Sequence, residues 1–222
     1  MDHKNLLTRH ASPTLWQGGI RLFAMKVFTT FYRRMFLMIR PLDATIPSLR
    51  PRLPVVVKML AEKDLPAYNS FRPDQCTNLI QTRLARGEQC FAVWYAGRIV
   101  HAAFYQPYLS MDTGRVYVPY LHRDLILQQG DVYSHDGLTL PAYRGYGLSP
   151  ARGAHAMHHY WQEGYKRVVC LITVENRPQL RAIQKMGHQS VGLYSCLRFG
   201  PWQHDWQQMW SEAPLPRLAE TA

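Results

Sequence analysis

Apolar residues along this chain fall into two patterns, and their alternation outlines a fold. Short runs rich in branched and aromatic residues predict strands at LPVVVKML (53–60), CFAVWYAGRIVHAAFYQP (90–107), GDVYSHDGLTL (130–140), RVVCLITV (167–174) and VGLYSCLRF (191–199). The second run breaks at Ala96-Gly97, a two-residue hairpin signal. RVVCLITV shows no alternation, as expected of a strand buried on both faces. Stretches of helical period lie between these runs. One opens at Asp64, with Pro66 in its first turn. A second covers 74–86, from Asp74 through Leu79, Ile80, Arg83 and Leu84 to the stop at Gly87. Two more span about 148–163 and 177–186, closed by Gly164 and Gly187.

Strand, helix and strand over 130–174 make a βαβ crossover, so those two strands should be parallel. Hairpin connections dominate elsewhere. The prediction is therefore an α+β fold with a mixed, mostly antiparallel sheet, one parallel pair and flanking helices. Pro41, Pro47, Pro51 and Pro54 mark a link. They divide the chain into a basic extension (1–50), a main domain (51–200) and a Trp-rich C-terminal segment with a tail (201–222). In the extension, Met25, Phe28, Tyr32, Met35 and Ile39 share one helical face, with Lys26 and Arg33 opposite. That stripe predicts a helix, packed on the domain and leading into a strand or lying on a membrane surface. Trp202, Trp206 and Trp210 recur every four residues, which predicts a short capping helix or a dimer contact. The final PLPRLAETA is predicted to be disordered.

Charge sharpens this outline. The formal net charge is +11, and residues 1–50 hold eight of the 26 Lys and Arg against only Asp2 and Asp43. A basic balance suits an anionic partner: a membrane face, nucleic acid or a phosphorylated small molecule. Nucleic acid is disfavoured, because no recognition motif or Arg/aromatic stripe is present. Cys76, Cys90, Cys170 and Cys196 show no metal or redox spacing, which points to reduced thiols and a cytoplasmic setting. No metal is expected. His155 and His159 share a helix face, but no third ligand accompanies them.

The most informative stretch is LPAYRGYGLSP (140–150). It ends a predicted strand and starts a predicted helix. Helix N-termini carry unpaired N–H groups and a partial positive charge. Gly145 and Gly147 let an anion approach that backbone, and Arg144 adds a full charge. Physically this is a phosphate cradle. A P-loop would need a Gly-Lys-Ser/Thr ending, which is absent. A dinucleotide fingerprint would need glycine at 150, where the chain has Pro150.

Arg144-Gly145-Tyr146-Gly147-Leu148-Ser149 resembles the Q/R-x-x-G-x-G/A motif of the GNAT superfamily of acyl-CoA N-acyltransferases, with Ser149 at the last small position. NRPQLRAIQKMGH (176–188) is similar to a second family block, matching at Asn176, Lys185 and Gly187. The resemblance covers about residues 53–200. It implies a GNAT-like sheet whose parallel pair splays apart, with acetyl-CoA or another acyl-CoA in the gap and a primary amine as acceptor. Amides of 145–149 would hold the pyrophosphate, and Leu138, Thr139 and Leu140 would flank the pantetheine. Asn176 would sit near the thioester, and Arg152 or Arg181 would meet the 3′-phosphate.

Amine acylation also needs a base and a route for the leaving thiolate's proton. Asp136 and His135 are the base candidates, Asp136 preferred; on a regular strand they point to opposite faces. The family's usual tyrosine falls at Ile183, which cannot donate a proton. Tyr194 is the substitute candidate; otherwise the thiolate leaves unaided, or catalysis has been lost. The alternative function is thus a degenerate, non-catalytic binding module that docks on a membrane or other anionic partner. Tyr105, Tyr108, Tyr117, Tyr120 and His122 either line the acceptor side or are ordinary sheet residues.

Overall fold

The computed structural model describes residues 31–110, 113–210 and 215–219. Along the chain run β1 (Tyr32–Pro41), β2 (Val56–Met59), α1 (Leu65–Phe71), α2 (Thr77–Ala85), β3 (Gln89–Tyr95) and β4 (Arg98–Pro107). Then come β5 (Arg115–Val118), β6 (Arg123–Ile126), β7 (Asp131–Thr139), α3 (Leu148–Gln162), β8 (Arg167–Thr173) and α4 (Arg177–Lys185). β9 (Gln189–Phe199), β10 (Trp202–Met209) and β11 (Arg217–Leu218) complete the described chain. The main sheet has eight strands in the order β10-β9-β1-β8-β7-β4-β3-β2, and β11-β6-β5 form a smaller one. Every pairing is antiparallel except β7 with β8.

Local chemistry explains most of these elements. Ala96 (φ 47°) and Gly97 (φ 77°) both adopt positive φ, as a two-residue turn between twisted strands requires. Val168, Val169, Cys170 and Leu171 are all buried, which is why β8 reads as one unbroken apolar run. Their side chains alternate between two packed faces. On one face α3 and α4 cover Met38, Val132, Val168 and Cys170 through Ala154, Met157 and Ile183. On the other, the small sheet covers Leu37, Ile39 and Val169 through Val116, Leu121 and Leu125. Farther along that second face, α1 and α2 cover Cys90, Ala92 and Phe104 with Leu65, Phe71 and Ile80. Cys90, Cys170 and Cys196 are buried free thiols, and Cys76 is exposed.

Four expectations from the sequence need correction. The stripe at 20–39 does not make one helix: from Tyr32 the chain is β1, between β8 and β9. Met35, Leu37 and Ile39 face the small sheet while Phe36 and Met38 face the helices. A strand covered on both sides is apolar throughout, so any period can be read into it. The earlier part of that stripe, including Met25, Lys26 and Phe28, lies outside the described residues. Trp202, Trp206 and Trp210 do not form a helix either. The first two lie on β10, which pairs with β9 along its whole length, and Trp210 follows it. A spacing of four is one helical turn but also two pleats of a strand, so it does not separate the two. The tail is ordered at 215–219, where Arg217 and Leu218 pair with Ile126 and Leu125. Finally, α2 starts at Thr77, because Asp74 is held by Arg72 instead (2.9 Å). The sheet thus crosses both expected boundaries, at 50 and at 200. No helix of the described residues is long and apolar enough to cross a membrane.

Two buried histidines make stability depend on pH. Burial, aided by the charge of Arg152, lowers the pKa of His101 from 6.5 to about 3. Burial, aided by Arg40 and Arg152, lowers that of His188 to about 4. Below 6.5 the unfolded chain takes up protons that the folded chain refuses, so acid favours unfolding. The urea midpoint should therefore fall steadily as pH drops from 6.5 towards 4. A His188→Gln variant should show a shallower decline.

Candidate functional site

The parallel pair is short. Asp131, Val132 and Tyr133 pair with Arg167, Val168 and Val169, and beyond them the strands separate. The closed end is pinned by an ion pair: Arg167 Nε donates to Asp131 Oδ1 at 2.7 Å and Nη2 to Oδ2 at 3.0 Å. Asp131 is fully buried and also accepts from the amide of Gln128 (2.8 Å). The open end holds two cavities. The outer, of about 570 Å³, runs along Leu138, Thr139, Arg144, Gly145, Gly147–Ser149 and one side of α4. The inner, of about 280 Å³, lies between Ser134–Gly137 of β7 and Cys170–Ile172 of β8. Gly137, Asn176 and Gln179 line both, so the two adjoin at a common wall.

The outer cavity has the character of an anion site. Gly145 (φ 84°) and Gly147 (φ 78°) take left-handed conformations, and Gly147 caps α3. The amides of Gly145, Tyr146, Gly147, Leu148 and Ser149 donate to no group among the described residues. Ser149 Oγ is buried and has no partner. A buried polar atom left over in this way calls for a ligand or water. Arg144, Arg181 and Lys185 line the cavity and no carboxylate does. Arg144 Nε also points at Thr139 O (3.4 Å). These features fit the diphosphate and 3′-phosphate of a coenzyme A. Lys185 was visible in the sequence only as a matching residue without a role; its place on α4 one turn after Arg181 supplies one. Tyr146 is exposed and lies outside the lining, although its carbonyl accepts from the Arg52 amide (2.9 Å). Asn176 caps α4, its Oδ1 accepting from Gln179 N (3.2 Å), at the wall common to both cavities.

β7 is not regular where the acyl group of such a ligand would lie. Register shifts between Ala102 and Phe104, which pair with Leu138 and His135. Asp136 and Gly137 form the bulge, and Asp136 has φ 50°. The bulge turns both His135 and Asp136 towards α1 and α2, contrary to the alternation of a regular strand. Asp136 accepts from Arg72 Nη1 (3.1 Å), Gln75 Nε2 (2.8 Å) and Arg83 Nη1 (2.6 Å). Burial raises its pKa, but these bonds and charges outweigh burial and hold it below the ordinary carboxylate value. A carboxylate so satisfied is a poor base, so the preference for Asp136 does not suit this geometry. His135 is the better placed. Its Nε2 lies 3.2 Å from Glu88 Oε2, near enough for an ion pair though not aligned as a hydrogen bond. Its ring stacks on Tyr133 (5.5 Å) and approaches Phe104 (6.0 Å).

Other sequence candidates are placed elsewhere. Tyr194 is buried against the small sheet, its hydroxyl donating to Pro216 O (2.5 Å), and it lines neither cavity. It is not positioned as an acid. The Leu140 amide is taken by Val100 O (3.0 Å), whereas Leu138 and Thr139 do line the outer cavity. Arg152 is only 3% exposed and points inward, away from the outer cavity, so it does not reach a phosphate there. Arg181 does line it. Tyr105 is buried in the core under α3, while Tyr117, Tyr120 and His122 gather around Arg33 near the β5–β6 turn. His159 pairs with Glu163 (3.2 Å).

This architecture matches known structures. A GNAT-family acetyltransferase from Novosphingobium aromaticivorans superposes with TM-score 0.52 at 15% identity, covering 74% of this chain and 62% of its own. The chain has the GNAT acetyltransferase fold. A GCN5-related N-acetyltransferase from Sphaerobacter thermophilus gives TM-score 0.53 at 15% identity, covering 89% of this chain and 57% of its own. The GNAT-type region of a fungal multi-domain GH3 β-N-acetylglucosaminidase, a glucosamine N-acetyltransferase, gives 0.54 at 14%, covering 86% of this chain and 24% of that one. This chain therefore spans less than two thirds of each of those GNAT-fold chains. No protein-family model and no curated protein matches the sequence.

In this GNAT fold Asp136 anchors the bulge. Asp136→Asn retains a residue tolerant of positive φ but leaves Arg72 and Arg83 without their shared anion. It should cost about 2 kcal/mol at pH 7 by urea unfolding. Because the folded pKa is depressed, that difference should shrink as pH falls through and below the ordinary Asp value of 3.8.

Proposed function

We propose that this chain is an acyl-CoA-dependent N-acyltransferase that acts on a primary amine. The observation that carries the reading is the outer cavity: the unpaired amides of Gly145, Gly147, Leu148 and Ser149, an orphaned serine hydroxyl and three cations with no carboxylate among the described lining residues, set beside the splay. Amides of 145–149 hold the diphosphate, with Arg144 beside them. Arg181 and Lys185 hold the 3′-phosphate. The open edge of β7 at Leu138–Thr139 pairs with the pantetheine as an added strand. The thioester then lies at the wall shared by the two cavities, near Gly137 and Asn176. An amine arrives from the α1–α2 face and gives its proton to His135, which has Glu88 beside it. Its nitrogen attacks the thioester carbonyl, the C–S bond breaks and the thiolate leaves. Ile183 is buried against the inner cavity, so the thiolate is not protonated from that position.

Two variants test this. Gly147→Val forces a side chain onto positive φ at a strain of about 1–2 kcal/mol, which a folded protein tolerates. It should weaken acetyl-CoA binding at least about tenfold by calorimetry, a loss of roughly 1.4 kcal/mol. His135→Gln should leave acetyl-CoA affinity unaltered and lower turnover by about 10²–10⁴, the usual worth of a general base. Coenzyme binding without thiol release across a broad amine panel would identify the binding module instead. Absence of any coenzyme affinity would reject the acyltransferase, and salt-dependent binding to lipid vesicles in its place would favour the membrane-docking module.

A further inference from the structure

The inner cavity contains a charge that acetyl transfer does not explain. Arg152 sits one turn into α3 and is 3% exposed. Its Nε donates to His101 Nε2 (3.2 Å), so that histidine nitrogen is an acceptor and the ring is neutral. Its Nη1 donates to the Tyr105 hydroxyl, and its guanidinium lies 5.1 Å from the Tyr105 ring centre. Both partners are uncharged. Among the described residues no carboxylate lies within ion-pair distance of Arg152. Asp136, the acidic residue in the same lining, is already committed to Arg72 and Arg83. Buried charges are ordinarily paired with an opposite charge, because neutral hydrogen bonds compensate only part of the lost hydration.

Position gives this cation a use. Arg152 lines the inner cavity together with Tyr105, Ser134, Gly153 and Cys170. That cavity has Gly137 and Asn176 in common with the outer one, and the thioester is placed at that wall under the proposed function. The far end of an acyl group threaded past that wall therefore meets a buried guanidinium in a low-dielectric pocket. An acetyl methyl cannot satisfy it. A carboxylate can, as the charge-assisted acceptor that a guanidinium fork matches best. We infer that the acyl donor is a short dicarboxylic thioester, of the malonyl, succinyl or glutaryl class, whose free carboxylate pairs with Arg152 at the end of the inner cavity. The inference rests on the acyl-CoA reading above and names the donor for that same site.

The test compares donors of matched length by calorimetry on the full chain: succinyl-CoA against butyryl-CoA, with acetyl-CoA and free CoA alongside. Succinyl-CoA should bind at least about 30-fold more tightly than butyryl-CoA, as expected when a buried charge gains its partner. Arg152→Gln should bring that ratio to about one, and Arg152→Lys should keep part of it. A purely structural Arg152 would leave the ratio unmoved. If wild-type protein binds butyryl-CoA as well as succinyl-CoA, the dicarboxylic donor is wrong, and if the ratio survives in a folded Arg152→Gln, its pairing with Arg152 is wrong; in either case the acyltransferase reading stands. If neither any thioester nor free CoA binds, both fall. Should the glutamine variant not fold, the wild-type ratio decides by itself.

Discussion

The candidate site depends on two strands that begin together and are then kept apart. Asp131 and Arg167 lock their first residues, with the carboxylate fully buried. Removing one partner of such a pair typically costs about 3–5 kcal/mol. Three residues later the pairing stops. The bulge at Asp136–Gly137 bends β7 away, and Arg72, Gln75 and Arg83 hold that bend from the α1–α2 side. A hinge fixed at one end and braced at the other leaves two inner strand edges without each other. Backbone groups need partners, so a gap of this kind suits an extended, amide-bearing ligand.

Asp136 is best understood as part of that brace. In sequence it looks like a base, because it sits on the strand that enters the cleft. In three dimensions its carboxylate is saturated by donors. Under the proposed function the group left to accept a proton is His135, with Glu88 beside it. The choice between the neighbours turns on one irregular residue, since a regular strand would have sent them to opposite faces.

Much of the site was legible in the sequence, and the reasons differ by residue. Gly145 and Gly147 announce a backbone that only glycine adopts readily, and the strand-to-helix junction around them follows from local pattern. Asn176, Lys185 and Gly187 sit at family spacing on an element whose helical period is clear. By contrast, the point where the expected helix gives way to β1 was not legible because full burial erases periodicity, and Trp202, Trp206 and Trp210 were misleading because a spacing of four satisfies helix and strand alike. Arg152 reads in the sequence as a candidate for the 3′-phosphate, and arginine is seldom buried. Its inward orientation depends on Tyr105 and His101, which lie some fifty positions away and which no local pattern connects to it.

The unpaired amides at 145–149 carry one more implication. On the proposed reading they hold the part of the coenzyme that chemistry never alters. Spent coenzyme is thus gripped there as firmly as loaded coenzyme, and every cycle ends with a tightly seated product. Occupancy then follows the ratio of the two forms in the surrounding pool rather than the abundance of either. On that reading, turnover slows of its own accord whenever that pool is exhausted.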